Sequence, residues 1–404
     1  MPRFTDLQLV EPLRQALARQ GYAEPTPIQA KAIPPLLAGR DLVGVAQTGT
    51  GKTAAYALPI LQHIARTRSR RQRPVRALVL VPTRELARQI GKKFGGYAKF
   101  LDIYQAVIFG GVPAEPQVSL LERGADILVA TPGRLLDLHR RGHVALDRVA
   151  HVVLDEADQM LDAGFIVDIR QLLQALPERH QAMLFSATLP PEVQRLASSF
   201  LRDPVKVEIS SGGAAGGVRQ QVMFVERLNK VRLLDHLLTT LSIERALVFT
   251  RTRRGADRLN TLLQRENHAT AALHGDLSQA ARNAAIDRLR TGEVRVLVAT
   301  DVASRGLDIA AVDHVFNHEL PYDPDAYVHR VGRTGRAGRA GLALTLCDET
   351  SGGLLRDIER RLGATLTPVF DQPWHSHDAV PLLEATGRSA SGRGRRGRGK
   401  RRRR

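Results

Sequence analysis

Cysteine is nearly missing from this chain: Cys347 is the only one in 404 residues. A lone thiol excludes an internal disulfide and makes a cysteine-based zinc site implausible. Long apolar runs are missing as well. No stretch approaches the roughly 20 residues needed to span a bilayer, and residues 1–11 lack the apolar segment of a secretory signal. These absences give the expectation of a soluble, cytoplasmic protein with no membrane partner. Aromatic residues are few, at 4%, but 43% of the chain is hydrophobic and 25% charged, a mix that can fold. Acid is absent where base is richest. From Arg388 to Arg404 there are ten Arg or Lys and no Asp or Glu, so this short stretch holds more than half of the net charge of +18. Such a block is expected to stay disordered and to seek polyanions, with nucleic acid or an anionic membrane surface as candidates.

What is present repeats itself. Short runs of Val, Leu and Ile alternate with longer amphipathic stretches, the pattern of parallel sheets covered by helices in an α/β protein. Arg76-Ala-Leu-Val-Leu-Val-Pro-Thr-Arg84 returns as Arg245-Ala-Leu-Val-Phe-Thr-Arg-Thr-Arg253, and Ile127-Leu-Val-Ala-Thr131 returns as Val296-Leu-Val-Ala-Thr300, both offset by 169 residues. A third pair, His151-Val-Val-Leu154 and His314-Val-Phe-Asn317, is offset by 163. One match between apolar strands means little; two at a single offset indicate two homologous lobes. The Gly/Ser/Ala run at 210–217 cannot build a core and marks a flexible joint. The expected division is a first lobe over residues 1–209, a linker over 210–218, a second lobe over 219–370 and an Arg/Gly-rich tail over 371–404.

Two motifs carry chemistry. Ala46-Gln-Thr-Gly-Thr-Gly-Lys-Thr53 follows a strand-like stretch at 41–45 and precedes a helical one at 54–65, which is the setting of a P-loop. The backbone from Gln47 through Thr48, Gly49, Thr50 and Gly51 can approach phosphate oxygens, Lys52 supplies a point charge, and Thr53 can ligate Mg²⁺. Ala46 stands where the plain pattern has Gly, and an ordinary glycine turn is the alternative. A hundred residues later the apolar run at 151–154 ends in Asp155-Glu-Ala-Asp158. Carboxylates at the carboxyl end of a buried strand sit where open α/β sheets bind ligands. Asp155 is expected to hold Mg²⁺, largely through water. Glu156 is expected to orient and deprotonate an attacking water, because phosphoryl transfer depends on positioning and charge compensation. An acidic helix cap is the alternative, weakened by the P-loop upstream.

With Asp155-Glu-Ala-Asp158 after a P-loop, the chain resembles the DEAD-box ATP-dependent RNA helicases from about Phe4 to Gly341, within them most of all the bacterial RhlE-like group. The resemblance implies two tandem RecA-like parallel-sheet domains with helices on both faces, ATP and Mg²⁺ as cofactors, and local unwinding of short RNA duplexes. Gly21-Tyr-Ala-Glu-Pro-Thr-Pro-Ile-Gln29 looks like the family's Q motif, which implies that Tyr22 stacks on adenine while Thr26 and Gln29 read its polar edge. Pro82-Thr83-Arg84, Gly110-Gly111 and Thr131-Pro-Gly133-Arg134 match motifs that grip the RNA backbone in the first lobe. Arg251, Gly275, Thr300 and Arg305 do so in the second. Contacts of this kind carry little sequence selectivity. Ser186-Ala-Thr188, together with Asp158 and His329, is implied to couple hydrolysis to strand separation. Asp308 is implied to bind the ribose, and Arg333 and Arg336 of His329-Arg-Val-Gly-Arg-Thr-Gly-Arg336 to act as arginine fingers. Without the family that run reads as a basic loop on a solvated face. The second lobe has no Gly-Lys-Thr at the repeat position, Gln221, so its contribution must differ from the first. The tail reads as an electrostatic tether for RNA, with a solubilising segment or a basic targeting signal as alternatives. Ribosome assembly and RNA decay are the candidate settings.

Overall fold

The computed structural model describes residues 3–46, 49–67, 73–209, 218–301, 312–335 and 341–377. Gln47, Thr48, Arg305, Asp308, Arg336, the joint at 210–217 and the tail beyond 377 lie outside the described residues. Two sheets of seven strands each organise the chain. The first contains β1 (Leu42–Val45), β2 (Ala77–Leu80), β3 (Gln105–Ile108), β4 (Ile127–Ala130), β5 (His151–Asp155), β6 (Gln181–Ser186) and β7 (Val205–Glu208). The second contains β8 (Val218–Phe224), β9 (Ala246–Thr250), β10 (Thr270–Leu273), β11 (Val296–Thr300), β12 (His314–Asn317), β13 (Gly341–Cys347) and β14 (Thr367–Val369).

The strand orders are β3-β4-β2-β5-β6-β1-β7 and β10-β11-β9-β12-β13-β8-β14, which is one order written twice with every number raised by seven. The registers agree as well. Ala77 pairs with Ile127 and His151 in the first sheet, and Ala246 pairs with Val296 and His314 in the second. The repeats at an offset of 169 are therefore equivalent strands, and the α/β expectation of two like lobes holds. All pairings within the two sheets are parallel. A parallel strand covered on both faces must be apolar throughout, and β2, β4, β5, β6, β9 and β11 are buried at every position.

Each lobe carries two apolar layers, one on either face of its sheet. In the first lobe one layer joins Leu13, Ile28, Ile60 and Phe94, and the other joins Leu135, Met160, Leu172 and Leu196. Residues 371–377, assigned to the tail from sequence, run along the second lobe. His375 bridges Val225 in antiparallel fashion, the Gln372 amide donates to the Phe224 carbonyl at 2.9 Å, and Trp374 packs against the core. Among the described residues no helix is long and apolar enough to cross a membrane.

Candidate active site and nucleic-acid interface

The central strands β5, β6 and β1 are neighbours, and their carboxyl ends bring three separate sequence motifs together. Val45 pairs with Ser186 and Asp155 with Phe185, while the Ala46 amide donates to the Ser186 carbonyl at 3.0 Å. The phosphate loop leaves β1 at Ala46 and passes through Gly49 (φ 91°) and Gly51 (φ 95°) into the helix Lys52–Arg66. Left-handed φ values of this kind favour glycine. A Cβ on Gly51 would also lie 2.4 Å from the Gln29 amide nitrogen and 3.0 Å from the Thr26 hydroxyl. Gln29 ties the two segments together: its amide donates to the Gly51 carbonyl at 3.1 Å and its carbonyl accepts from the Thr26 backbone at 2.9 Å. The Thr26 hydroxyl, buried beside this loop, has no hydrogen-bond partner. Tyr22 stands further out, its hydroxyl 2.8 Å from that of Tyr97 and its ring edge-on to both Phe4 and Tyr97.

Lys52 is 5% exposed, and its ammonium group has no hydrogen-bond partner. A buried cation so placed is costly unless it faces negative charge, and the groups it faces are Asp155 and Asp158. Asp155 ends β5. Its Oδ2 accepts from the Tyr56 hydroxyl at 2.8 Å and its Oδ1 from the Glu156 backbone at 3.0 Å. Burial pushes the Asp155 carboxyl up, with the charge of Lys52 opposing. Glu156, 4% exposed, has left-handed backbone angles (φ 54°, ψ 51°), a strained conformation for a side chain of its size. That kink re-aims the chain between the end of β5 and the helix Ala157–Asp162. Thr53, at the start of the P-loop helix, is also buried.

Asp158 connects the carboxylates to the end of β6. Its Oδ2 accepts from both the backbone and the hydroxyl of Thr188, each at 3.0 Å, and its own amide donates to the Ser186 hydroxyl at 3.3 Å. The same Oδ2 lies 3.6 Å from Nε2 of His329 in the second lobe. Burial works against its charge, but His329, Lys52 and Thr188 together hold the carboxyl well below the usual range.

The strands β3, β4 and β2 carry the second half of the surface. Thr83 caps the helix Arg84–Tyr97 by accepting from the Leu86 amide at 3.2 Å, just after the buried Pro82. Arg84 donates to the Gly111 carbonyl at 3.4 Å and, across the lobes, to the Gln279 side chain at 2.6 Å. Gly110 and Gly111 (φ 75°) follow β3. Thr131 precedes the helix Pro132–Arg140, in which Gly133 faces Asp168 and Arg134 donates to the Val112 carbonyl at 2.8 Å.

The equivalent strands of the second lobe present the equivalent ends. Arg251 follows β9, with its amide donating to Glu319 at 2.7 Å and its guanidinium 4.8 Å over the exposed ring of Tyr322. Gly275 follows β10 and accepts from Arg282 at 2.8 Å, while Thr300 ends β11 and is buried. The helix Pro324–Val331 follows β12, just as Ala157–Asp162 follows the equivalent β5. It brings His329 to Asp158, and Arg333 lies just beyond it, 3% exposed and engaged with its surroundings.

Comparison with known proteins places this arrangement. A family model described as DEAD/DEAH box helicase matches residues 26–196, and one described as Helicase conserved C-terminal domain matches residues 229–338. The DEAD-box ATP-dependent RNA helicase CshA of Bacillus cereus is 42% identical over 361 residues, covering 89% of this chain and 68% of that protein. The ATP-dependent RNA helicase DeaD of Mycobacterium tuberculosis is 44% identical over 366 residues, covering 90% and 64%. Among solved structures, S. cerevisiae Dbp5 bound to RNA and ADP BeF3 superposes with a TM-score of 0.78 at 32% identity, covering 91% of this chain and 95% of that one. The chain belongs to the DEAD/DEAH box helicase family.

In this helicase several site residues had no signal of their own in the sequence. Tyr56 lies in an apolar helix and reads as core. Arg330 sits inside the basic run yet is 1% exposed, with its guanidinium on both carboxylate oxygens of Asp301, on Asn317 and on the Glu319 carbonyl. The solvated-face reading of that run fails for Arg330 and Arg333, both of which are buried. Lys230 opens the helix after β8, the place that Lys52 holds after β1, but it is paired with Asp348 at 2.6 Å and donates to the His318 carbonyl. In the second lobe an internal ion pair thus occupies the position at which the first lobe has an ammonium group without a hydrogen-bond partner.

Proposed function

We propose that the chain is an RNA-dependent ATPase that closes its two lobes on the RNA backbone and locally separates short duplexes. The observation that carries this reading is the 3.6 Å approach of His329 to Asp158. It brings the helix that precedes Arg333 in one lobe against Asp158, a carboxylate that faces Lys52, in the other. The names of the relatives, ATP-dependent RNA helicases, and the RNA and ADP BeF3 in the superposed Dbp5 support it.

Gly49, Thr50, Gly51 and Lys52, with Gln47 and Thr48, cradle the phosphates, and Thr26, Gln29 and Tyr22 receive the base. Asp308 binds the ribose. The oxygen donors Thr53 and Asp155 suit a hard cation, and Mg²⁺ held there would neutralise phosphate charge when bound. Glu156 accepts a proton from the attacking water as its oxygen bonds to the γ-phosphorus. The bond from that phosphorus to the ADP oxygen breaks, giving ADP and phosphate. Arg333 and Arg336 offset the charge that builds on the transferred group, an effect worth several kcal/mol in related phosphoryl transfers. Pro82, Thr83, Arg84, Gly110, Gly111, Thr131, Gly133 and Arg134 hold the strand on one lobe, and Arg251, Gly275, Thr300 and Arg305 on the other. Ser186, Thr188, Asp158 and His329 transmit the loss of the γ-phosphate to that grip. The reading places the enzyme in the cytoplasm, working with ribosome assembly or RNA decay machinery.

RNA-stimulated ATP hydrolysis by the purified protein is the direct test. Glu156→Gln is expected to abolish turnover while leaving RNA binding with ATP intact; a variant as active as the parent removes Glu156 from the mechanism. DNA of matched sequence that stimulates equally would sink the assignment to RNA. Crosslinked RNA and protein recovered from cells would separate ribosome assembly from decay.

A further inference from the structure

A cavity lies on the first lobe, at the amino ends of the strands, opposite the cleft at their carboxyl ends. It has a volume of about 710 Å³ and is lined by His151 at the start of β5, Gln181 at the start of β6, Arg202 before β7, and His63 and Arg66 near the end of the P-loop helix. That helix runs 15 residues from Lys52 to Arg66, so its far end is about 22 Å from the cradle at 1.5 Å per residue. The two sites cannot share a ligand.

The lining is chemically two-sided. Arg66, Arg179 and Arg202 are exposed at the rim, and none forms an ion pair with a described residue. The single acidic group of the lining, Asp6, is already used by the Arg3 amide and the Thr5 hydroxyl. Pro34, Leu36, Leu37 and Pro59 give the apolar side. One buried polar group in the wall is unsatisfied. His151, 4% exposed, shares its Nδ1 with the Gln181 carbonyl at 2.9 Å, and its Nε2 has no partner. The Gln181 amide donates to the carbonyls of Leu36 and Arg40, so its oxygen is the acceptor and His151 Nδ1 carries the proton. Nε2 is then a bare acceptor next to the exposed His63 ring, 4.6 Å away. Buried acceptors are usually satisfied; this one is closed off behind the cavity wall and is not offered to a ligand.

We propose that this cavity binds a 5′-phosphorylated nucleotide, its phosphate held by Arg66, Arg179 and Arg202, its sugar and base against the prolines and leucines. The volume falls within the range of sites for such ligands, about 300–1,000 Å³. Three guanidinium groups around one pocket match a phosphate, which accepts paired N–H donors. A free nucleotide and the phosphorylated end of an RNA share this chemistry.

Calorimetric titration of GMP into the full chain, with no other nucleotide present, tests the proposal. The expected result is a single site with a Kd on the order of 0.1 mM or tighter. It should weaken roughly tenfold or more when Arg66→Ala, Arg179→Ala and Arg202→Ala are combined, and be unchanged by Lys52→Ala. The three arginines are exposed, so an unchanged thermal transition checks that the combined variant still folds. No binding, binding lost with Lys52→Ala, binding indifferent to the three arginines, or guanosine binding as tightly as GMP each overturns it. Competition identifies the source. Displacement of GMP by a 5′-phosphorylated RNA oligonucleotide but not by its 5′-hydroxyl twin assigns the site to RNA ends, and displacement by neither assigns it to free nucleotides. Displacement by both shows that the phosphate is not read, and overturns the proposal.

Discussion

Tyr56 is fully buried and donates its hydroxyl to the same Asp155 carboxylate that faces Lys52. The bond fixes which way the carboxylate points before any nucleotide arrives. Tyr56→Phe removes the donor without changing the packing, leaving Asp155 Oδ2 buried and unpaired. The expected cost is about 1–3 kcal/mol in stability, measured by urea unfolding, together with weaker binding of MgADP in a direct titration; a variant matching the parent in both would show that the hydroxyl does nothing. Two imidazoles, the buried His151 and the half-buried His318, make the fold sensitive to acid. Burial lowers His151 to about 4, with the charge of His63 adding to it, and lowers His318 to about 3, with Lys230 adding. In the unfolded chain both protonate near 6.5. Between pH 6.5 and 4 the unfolded state therefore binds more protons, and stability falls as pH falls. Each histidine should cost about 2 kcal/mol between pH 7.5 and 5. A flat stability profile over that window would contradict their burial as neutral rings.

At the scale of elements, the loops carry the strain and the strands carry the pattern. Gly335 (φ 66°) closes the basic run directly against the first residue of β8, and a Cβ there would come within 2.2 Å of Val218 Cγ2. Gly335→Ala must strain the backbone and push Val218, so a loss of about 1–3 kcal/mol is expected, together with slower ATP turnover if the loop beside Arg333 shifts. Chemical denaturation and steady-state kinetics on the one variant check both. The buried pair Lys230–Asp348 shows how one fold serves two purposes. Asp348→Ala leaves a buried ammonium group alone and should destabilise by about 3–5 kcal/mol, whereas joint replacement of both partners by apolar residues should cost far less. A double-mutant unfolding cycle distinguishes these outcomes.

For the whole molecule, the contacts between the lobes among the described residues sit on the two halves of one surface. Arg84 meets Gln279 between the halves expected to hold RNA, and Asp158 meets His329 between the halves around the nucleotide. Both ligands can then favour the same closed arrangement, and their coupling is reciprocal. Gln279→Ala touches neither ligand's expected phosphate cradle nor any carboxylate. It should raise the RNA concentration giving half-maximal ATPase activity by about tenfold or more, since a hydrogen bond to a charged group contributes roughly 1.5–3 kcal/mol, and leave hydrolysis without RNA unchanged. An unaltered RNA dependence would mean that the contact does not help closure.

The sequence alone determined the repetition of the fold, because β-strands buried on both faces must be apolar at every position and the two copies kept that pattern at a constant spacing. It also determined the identity of the cleft's chemistry, since glycines beside Lys52 and carboxylates at a strand end are dictated by phosphate geometry rather than by packing. Tertiary structure alone decided that Tyr56 faces Asp155, that Arg330 is a buried strut inside a run of exposed-looking charge, and that Lys230 is paired with Asp348 across the second lobe. Those relations join residues 99, 29 and 118 positions apart along the chain. Local spacing does not encode which distant partner will share a dry interior with a polar group, and only the folded sheet brings them within hydrogen-bond reach.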